Sequence, residues 1–380
     1  MSELHQWLAQ PLPPDVRRAV DRLRRCPDVR HVALMPDVHL AHDVCVGTVL
    51  ATARTLYPAA VGGDIGCGMA ALALDASAAL LAEEPAAARL MAALYDAVPP
   101  NRHRAPRDLP APLNETPLSH PTLEAVRRRD ARVQLGTLGR GNHFLEFQTD
   151  DEDRLWLMVH TGSRGVGQAI RDWHLDQARA RASSGSRDRP TTLIGVDAES
   201  PEGLAYRRDM DWALAYARAN RDAILAAVAT VMRDAFGVAT VPSSRLDCHH
   251  NFVRGETHLG QPLWVHRKGA VPAAAGEPGI IPGSMGAPSF HVEGRGCPAS
   301  LCSSSHGAGR AMSRDAARRA ITPRELERQM RGVWFDRRHA HRLRGEAPAA
   351  YKDVHAVMRA QRDLTRIVRT LRPMLSYKGP

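Results

Sequence analysis

The sequence predicts an α+β fold: a single compact domain over residues 1–380, with a strand- and glycine-rich β core flanked by helices. Three observations predict it. Apolar residues recur at helical spacing towards both ends of the chain. The middle, above all 240–310, is dense in glycine, proline and short strand-like runs. Neither an internal repeat nor a clean linker divides the 380 residues, although that length would also hold two ordinary domains.

Taken in order, residues 13–26 read as a helix, opened by "PPD" and carrying Val16, Val20 and Leu23 on one face. "HVALMPDVHL" reads as a strand running into a turn at Pro36–Asp37, and "VGTVLAT" as a second strand. Residues 79–98 are helical with a kink or break at Pro85. From 99 to 120 the chain is rich in proline and arginine without periodicity, which predicts a surface loop. "HFLEFQTD" and "RLWLMVHTG" predict two strands joined by the acidic turn "DDED". A helix is expected over 166–182, a flexible connection over 183–192 and the longest helix over 202–236. Helices at 323–331 and 350–373 close the chain, the first with Thr322 as N-cap and Pro323 in its first turn.

The apolar fraction of 44% supports a sizeable core. No apolar run reaches the ~18 residues of a membrane helix, and the first residues lack a secretory pattern. Six scattered cysteines are too sparse for a disulfide scaffold and fit a reducing, cytoplasmic setting; Cys26 and Cys45 read as ordinary buried thiols. The 51 Lys+Arg against 41 Asp+Glu leave a net charge of +10, mostly from arginine. Such an excess attracts polyanions, though it also fits a plain compositional taste for arginine.

Five clusters mix His, Cys, Asp or Asn with small residues: "PDVHLAHD", "GGDIGCGM", "GTLGRGNHFLE", "VHTGSRGVG" and "DCHHNFV". Carboxylate, thiolate and imidazole are the metal-binding side chains. Asp64, Cys67, His143, His160 and one of His249 or His250 would hold one or two divalent ions, with a thiolate able to bridge two. The ligand types by themselves also permit zinc. Cys297, Cys302 and His306 lack the second tight ligand pair of a structural zinc site. "SSSHGAGR" instead surrounds His306 with hydroxyls, glycines and Arg310, a setting for phosphate in which imidazole can be a nucleophile. "IIPGSMGAPS" is a turn-rich loop of backbone donors that could cradle a nucleotide, without a Walker pattern.

Together the motifs resemble the RtcB-type RNA ligases, GTP-dependent enzymes that join 3′-phosphate and 5′-hydroxyl ends in tRNA splicing and RNA repair. The resemblance runs in order from about residue 31 to the end, through "MPDVHLA", "GGDIGCGM", "LGTLGRGNHFLE", "VHTGSRGVG", "CHHNFV", "HRKGAVPA", "IIPGSMGAPS", "SSSHGAGR", "AYKDV" and "YKG". It implies two Mn²⁺ ions, with Asp64 and His143 on one, His160 and His250 on the other, and Cys67 between them. His250 is preferred to His249 because the family ligand directly precedes an asparagine, here Asn251.

The resemblance further implies that His306 attacks GTP to form a histidine–GMP adduct, and that the guanylate passes to an RNA 3′-phosphate before the 5′-hydroxyl displaces GMP. A 2′,3′-cyclic phosphate end would be opened first. The implied guanylate contacts are Asn142, His143, Phe144, Leu145, Glu146, His250, Asn251, Pro282, Gly283, Ser284, Met285, Ser289, His306, Gly307, Ala308, Gly309 and Lys378, with Tyr351 against the base. Glu146 would select guanine by accepting from two ring N–H groups. Arg164, Arg267, Lys268 and Arg310 are candidates for phosphate or RNA contacts. Expected partners are RNA, GTP and, as in some relatives, an archease-type activator. The competing readings are a dinuclear metal-dependent phosphodiesterase, which needs no nucleophilic His306, no GTP pocket and no Lys378, and a non-catalytic RNA-binding protein, which explains the +10 charge but not the full ligand set.

Overall fold

A computed structural model describes residues 2–183 and 193–379. Apart from its first residue, the connection expected over 183–192 lies outside them. The fold is mixed α and β, with two large sheets meeting edge to edge. The seven-stranded sheet runs Pro278–Ile281, Ser289–Gly294, Thr365–Tyr377, Phe144–Thr149, Arg154–Thr161, Gly68–Ser77, Thr240–His249. The five-stranded sheet runs Glu3–Gln6, Val29–His39, Val46–Thr52, Gln261–Lys268, Asn251–His258. The edge strand Thr240–His249 passes into the edge strand Asn251–His258 through His250 alone, so His250 sits on the seam between the sheets.

One face of the seven-stranded sheet carries Leu145, Phe147, Leu157, Val159 and Leu375, and it packs on Leu90, Leu94, Ile224 and Val228 of helices Glu84–Ala97 and Pro201–Phe236. Full burial of each such side chain contributes roughly 1.5–3 kcal/mol. Because side chains alternate across a strand, Phe144, Glu146 and His160 are left facing the other way. That opposite face builds the site.

The long helix forms where the sequence predicts it. Ser200 caps it by accepting from the Gly203 amide, Pro201 opens it, and Gly237 ends it at φ +67. The helices Pro14–Leu23, Arg164–Ser183 and Pro323–Gln329 also match expectation.

Two expectations need correction. Residues 350–373 are not one helix: after the short helix Val354–Ala360 the chain becomes the 13-residue strand Thr365–Tyr377. Its β-branched residues pair on both sides, and Pro373, which would break a helix, sits at a bulge. Pro36–Asp37 is not a turn but lies within strand Val29–His39, where its register with Val46–Thr52 slips between Leu34 and His39. Over 79–98 the 3-10 turn Ala78–Leu81 gives way to helix Glu84–Ala97, so the helical stretch breaks just ahead of Pro85, which occupies the first turn of the second piece. The stretch 99–120 is largely exposed; within it the short helix Ala111–Glu115 forms and Leu113 and Leu118 are buried, while the Ser119 amide and hydroxyl both donate to the buried Asp209.

Candidate active site

The turn "GGDIGC" precedes strand Gly68–Ser77 and brings Asp64 and Cys67 to the end of two neighbouring strands. His160 lies on Arg154–Thr161, which pairs with Gly68–Ser77, and His143 immediately precedes Phe144–Thr149. The seam supplies His250, whose amide donates to the Cys67 carbonyl at 2.8 Å. Five residues spread over 187 positions thus converge.

They form two triads that share the thiol. Asp64, Cys67 and His143 offer ligand atoms within 4.8 Å of one another, as do Cys67, His160 and His250. Cys67 Sγ is 3.5 Å from His143 Nε2 and 3.2 Å from His160 Nε2, and His160 Nε2 is 3.4 Å from His250 Nε2. His143 Nε2 lies 2.7 Å from Asp64 Oδ2. The arrangement fits a pair of cations. His160 Nδ1 donates to the Asn142 carbonyl at 3.0 Å, which leaves the Nε2 lone pair facing the cluster. Among the described residues, Asp64 Oδ1 and His250 Nδ1 are buried without a hydrogen-bond partner.

The electrostatics point the same way. Burial, reinforced by neighbouring histidines, pulls His160 and His250 well below the usual imidazole range, so both rings are neutral donors. Burial pushes the Cys67 thiol well up, and the Asp64 carboxylate adds to it, so a thiolate here needs positive charge beside it. Burial also pushes the Asp64 carboxyl up, but His143 and Arg164 outweigh it and hold it below the ordinary carboxylate range. The close packing explains the glycines: a Cβ on Gly162 would lie 2.2 Å from Asp64 Oδ1.

His249 and His250 resolve cleanly. His249 turns away and places Nδ1 3.0 Å from the Gly66 carbonyl and 3.2 Å from Arg221, which is itself locked in a buried ion pair with Asp247. Only the seam residue reaches the cluster.

Beside the metal-type cluster the His306 ring lies 4.7 Å, centre to centre, from the His250 ring. His306 Nδ1 is 2.6 Å from Oδ2 of the fully buried Asp37, which also accepts from the His306 amide at 3.3 Å. A carboxylate oxygen accepts, so Nδ1 carries the proton and Nε2 keeps its lone pair. A Cβ on Gly309, at φ +72, would lie 2.3 Å from the Asp37 carbonyl oxygen, which only glycine avoids. Asp37 is the functional residue that motif reading missed: "PDVHLAHD" is visible, but its partner lies 269 positions away.

His306 opens into a cavity of about 480 Å³. Asn142, Phe144, Glu146, Pro282 to Met285, Ser289, His306 to Gly309, Tyr351 and Lys378 line it, as does His160. Leu145 points into the core on the other face of its strand. His143 and His250 serve the cluster, and Asn251 braces it: its side chain donates to the Asp64 carbonyl at 3.0 Å and accepts from the Gly269 amide at 2.8 Å. His39, which lies within "PDVHLAHD", and Arg314 also line the cavity, and neither is singled out by the sequence alone.

Glu146 is buried, and Gln148 donates to it at 2.7 Å. Burial pushes its carboxyl up to about 8, against the pull of Gln148 and Lys378. Of the four basic candidates, Arg310 reaches the cavity wall but is tied to the Met312 and Gly345 carbonyls. Arg164 donates to His143 Nδ1 from behind the cluster at 3.2 Å. Lys268 donates to the His42 and Ala59 carbonyls. Arg267 is wholly buried in a two-pronged pair with Glu256 and therefore has no face to offer RNA.

The family model described as "tRNA-splicing ligase RtcB" matches residues 19–116 and 113–379. The chain belongs to the RtcB family. It is 39% identical to RNA-splicing ligase RtcB1 of Escherichia coli strain ATCC 25922, over 97% of this chain and 95% of that protein. It is 38% identical to RNA-splicing ligase RtcB of Escherichia coli K12, with the same coverage. Against tRNA-splicing ligase RtcB of Archaeoglobus fulgidus the identity is 30%, over 98% of this chain and 92% of that protein. The RtcB match embraces both triads, Asp37, His306 and the whole cavity wall. No helix among the described residues of this RtcB-family chain is long and apolar enough to cross a membrane.

Proposed function

We propose that this RtcB-family RNA ligase joins RNA 3′-phosphate ends to 5′-hydroxyl ends with GTP and two Mn²⁺ ions, through a histidine–GMP intermediate on His306. The observation that carries the reading is the Asp37–His306 pair, which frees one imidazole nitrogen towards a nucleotide-sized cavity beside a twin metal-type cluster. Asp64, Cys67 and His143 would hold one ion, and Cys67, His160 and His250 the other. When bound, Mn²⁺ would neutralise phosphate charge and help align in-line displacement.

The residues divide the work. Glu146 accepts from guanine N1–H and N2–H, with Lys378 and Tyr351 also in the cavity wall. His306 Nε2 forms a bond to the α-phosphorus as the bond to pyrophosphate breaks. Asp37 keeps the proton on Nδ1 and stabilises the charge that develops on the ring. The RNA 3′-phosphate then takes the guanylate, which restores His306. The 5′-hydroxyl attacks the activated 3′-phosphate and GMP leaves. Cyclic 2′,3′-phosphate ends enter after opening to the 3′-phosphate. The substrates would be broken or intron-excised RNA ends in the cytoplasm.

The deciding experiment incubates the protein with Mn²⁺ and GTP labelled at the α-phosphate, with and without an archease-type activator. Acid-labile label on the protein supports the reading. No label in either case overturns it and leaves a dinuclear phosphodiesterase.

Two further outcomes are expected. Asp37→Asn should slow label formation by about 10²–10⁴-fold, because the amide can present a donor and reverse the ring tautomer. GMP affinity should be unchanged, and single-turnover labelling beside calorimetric GMP binding reads both. The second outcome concerns pH. Only ionised Glu146 accepts both guanine protons, so below about 8 guanine binding must expel a proton. GMP affinity should therefore rise with pH, by up to about tenfold per unit, and level off above that value. Titrations at several pH values in wild type and Glu146→Gln, which should lose the slope, check this.

A further inference from the structure

We propose that His39 is the proton acceptor for the joining step, taking the proton from the RNA 5′-hydroxyl as it attacks the activated 3′-phosphate. The inference rests on the ligase reading above and assigns a group to a need that reading leaves open. Of the three nucleophiles that act once the RNA end is a 3′-phosphate, His306 Nε2 attacks with a free lone pair and the 3′-phosphate attacks with an anionic oxygen. The 5′-hydroxyl alone has a proton to lose as its bond to phosphorus forms.

His39 is placed to take it. It lines the same cavity as His306. Its Nδ1 lies 2.8 Å from the Asp37 carbonyl oxygen, which only accepts, so Nδ1 bears the proton and Nε2 holds a lone pair. Asp37 therefore holds two imidazoles by their Nδ1 atoms: His306 through its carboxylate and His39 through its main chain. Lys352 fixes the backbone of this segment by donating to the Pro36 and Val38 carbonyls at 3.1 and 2.6 Å. Burial lowers the His39 ring to about 4 against the raising effect of its Asp37 contacts, which leaves it neutral but a weak base until the anionic phosphates of the loaded site raise it.

Among the other imidazoles and carboxylates of the cavity wall two are committed, while His306, restored before this step, is distinguished by its own variant below. Glu146 is engaged by Gln148, and His160 directs Nε2 to Cys67 and His250. In the step proposed, the O5′–H bond breaks, its proton goes to His39 Nε2, and the O5′–P bond forms as the bond from phosphorus to the departing GMP breaks. His39 then returns the proton to solvent or to the released GMP.

The test separates the steps. RNA already carrying the 3′-guanylate cap is mixed with 5′-hydroxyl RNA, Mn²⁺ and enzyme, and joining is followed in a single turnover. His39→Ala should join about 10²-fold or more slowly, regain part of the rate on addition of imidazole, and still form the histidine–GMP label from GTP. His306→Ala should show the reverse pattern, no label but joining of the capped RNA. The label also proves His39→Ala folded. Joining within about threefold of wild type, or an equal fall in labelling and joining without imidazole rescue, overturns the assignment. Failure of wild type to form label would instead overturn the ligase reading on which it stands.

Discussion

Replacing His306 by alanine should abolish the covalent guanylate and cut overall RNA joining by at least about 10⁴-fold, the scale on which nucleophile deletions act. The ring supplies the sole bond from protein to nucleotide in the proposed chemistry, and among the described residues no second imidazole is bonded to the Asp37 carboxylate. The alteration should leave the rest of the site intact. His306 is partly open to the cavity, while the metal-type cluster is held by its own contacts among Cys67, His160 and His250. Labelling with α-labelled GTP, beside Mn²⁺ binding measured by calorimetry, reads both halves. Retained label would place the nucleophile elsewhere; lost Mn²⁺ binding would mean that the two sites are not separable.

Replacing Cys67 by alanine should have a comparably large effect by another route. The thiol is the one donor common to both triads. Its loss leaves each ion two protein ligands, so stoichiometry should fall below two Mn²⁺ per chain and joining should fall by more than the ~10–100-fold typical of losing an outer-sphere partner. Removal of the ions with a chelator should have the same effect on wild type and be reversed by Mn²⁺. Metal analysis after gel filtration, with a thermal melt to show that the variant folds, provides the check. Two firmly bound ions in Cys67→Ala would refute the shared-thiolate arrangement.

Much of the fold was legible because local rules sufficed. Ser200, Pro201 and Gly237 punctuate the long helix through caps that need no tertiary partner. The final strand was not legible. Residues 365–377 can present apolar groups at helical as well as strand spacing, and their pairing with 289–294 and 144–149 is decided by distant backbone. The site divides in the same way. Glycine-flanked Asp64, Cys67, His143 and His160 stood out because small neighbours around chemistry-bearing side chains serve no ordinary core. Asp37 and His39 lay in a visible motif but had no role until a residue 269 positions from Asp37 arrived beside it.

By itself the sequence determined which side chains can do chemistry, the capped helices, the strand-rich middle and, through the order of its motifs, the family. Those follow from residue type and short-range spacing. The tertiary structure decided how they are shared out: two triads on one thiol, His250 rather than His249, Arg267 withdrawn into an ion pair, and two imidazoles hung from Asp37. The physical reason is that each of these depends on which face of a strand meets which neighbour. Alternation along a strand sends adjacent residues to opposite sides, and only the seam between the two sheets selects the side that meets the site.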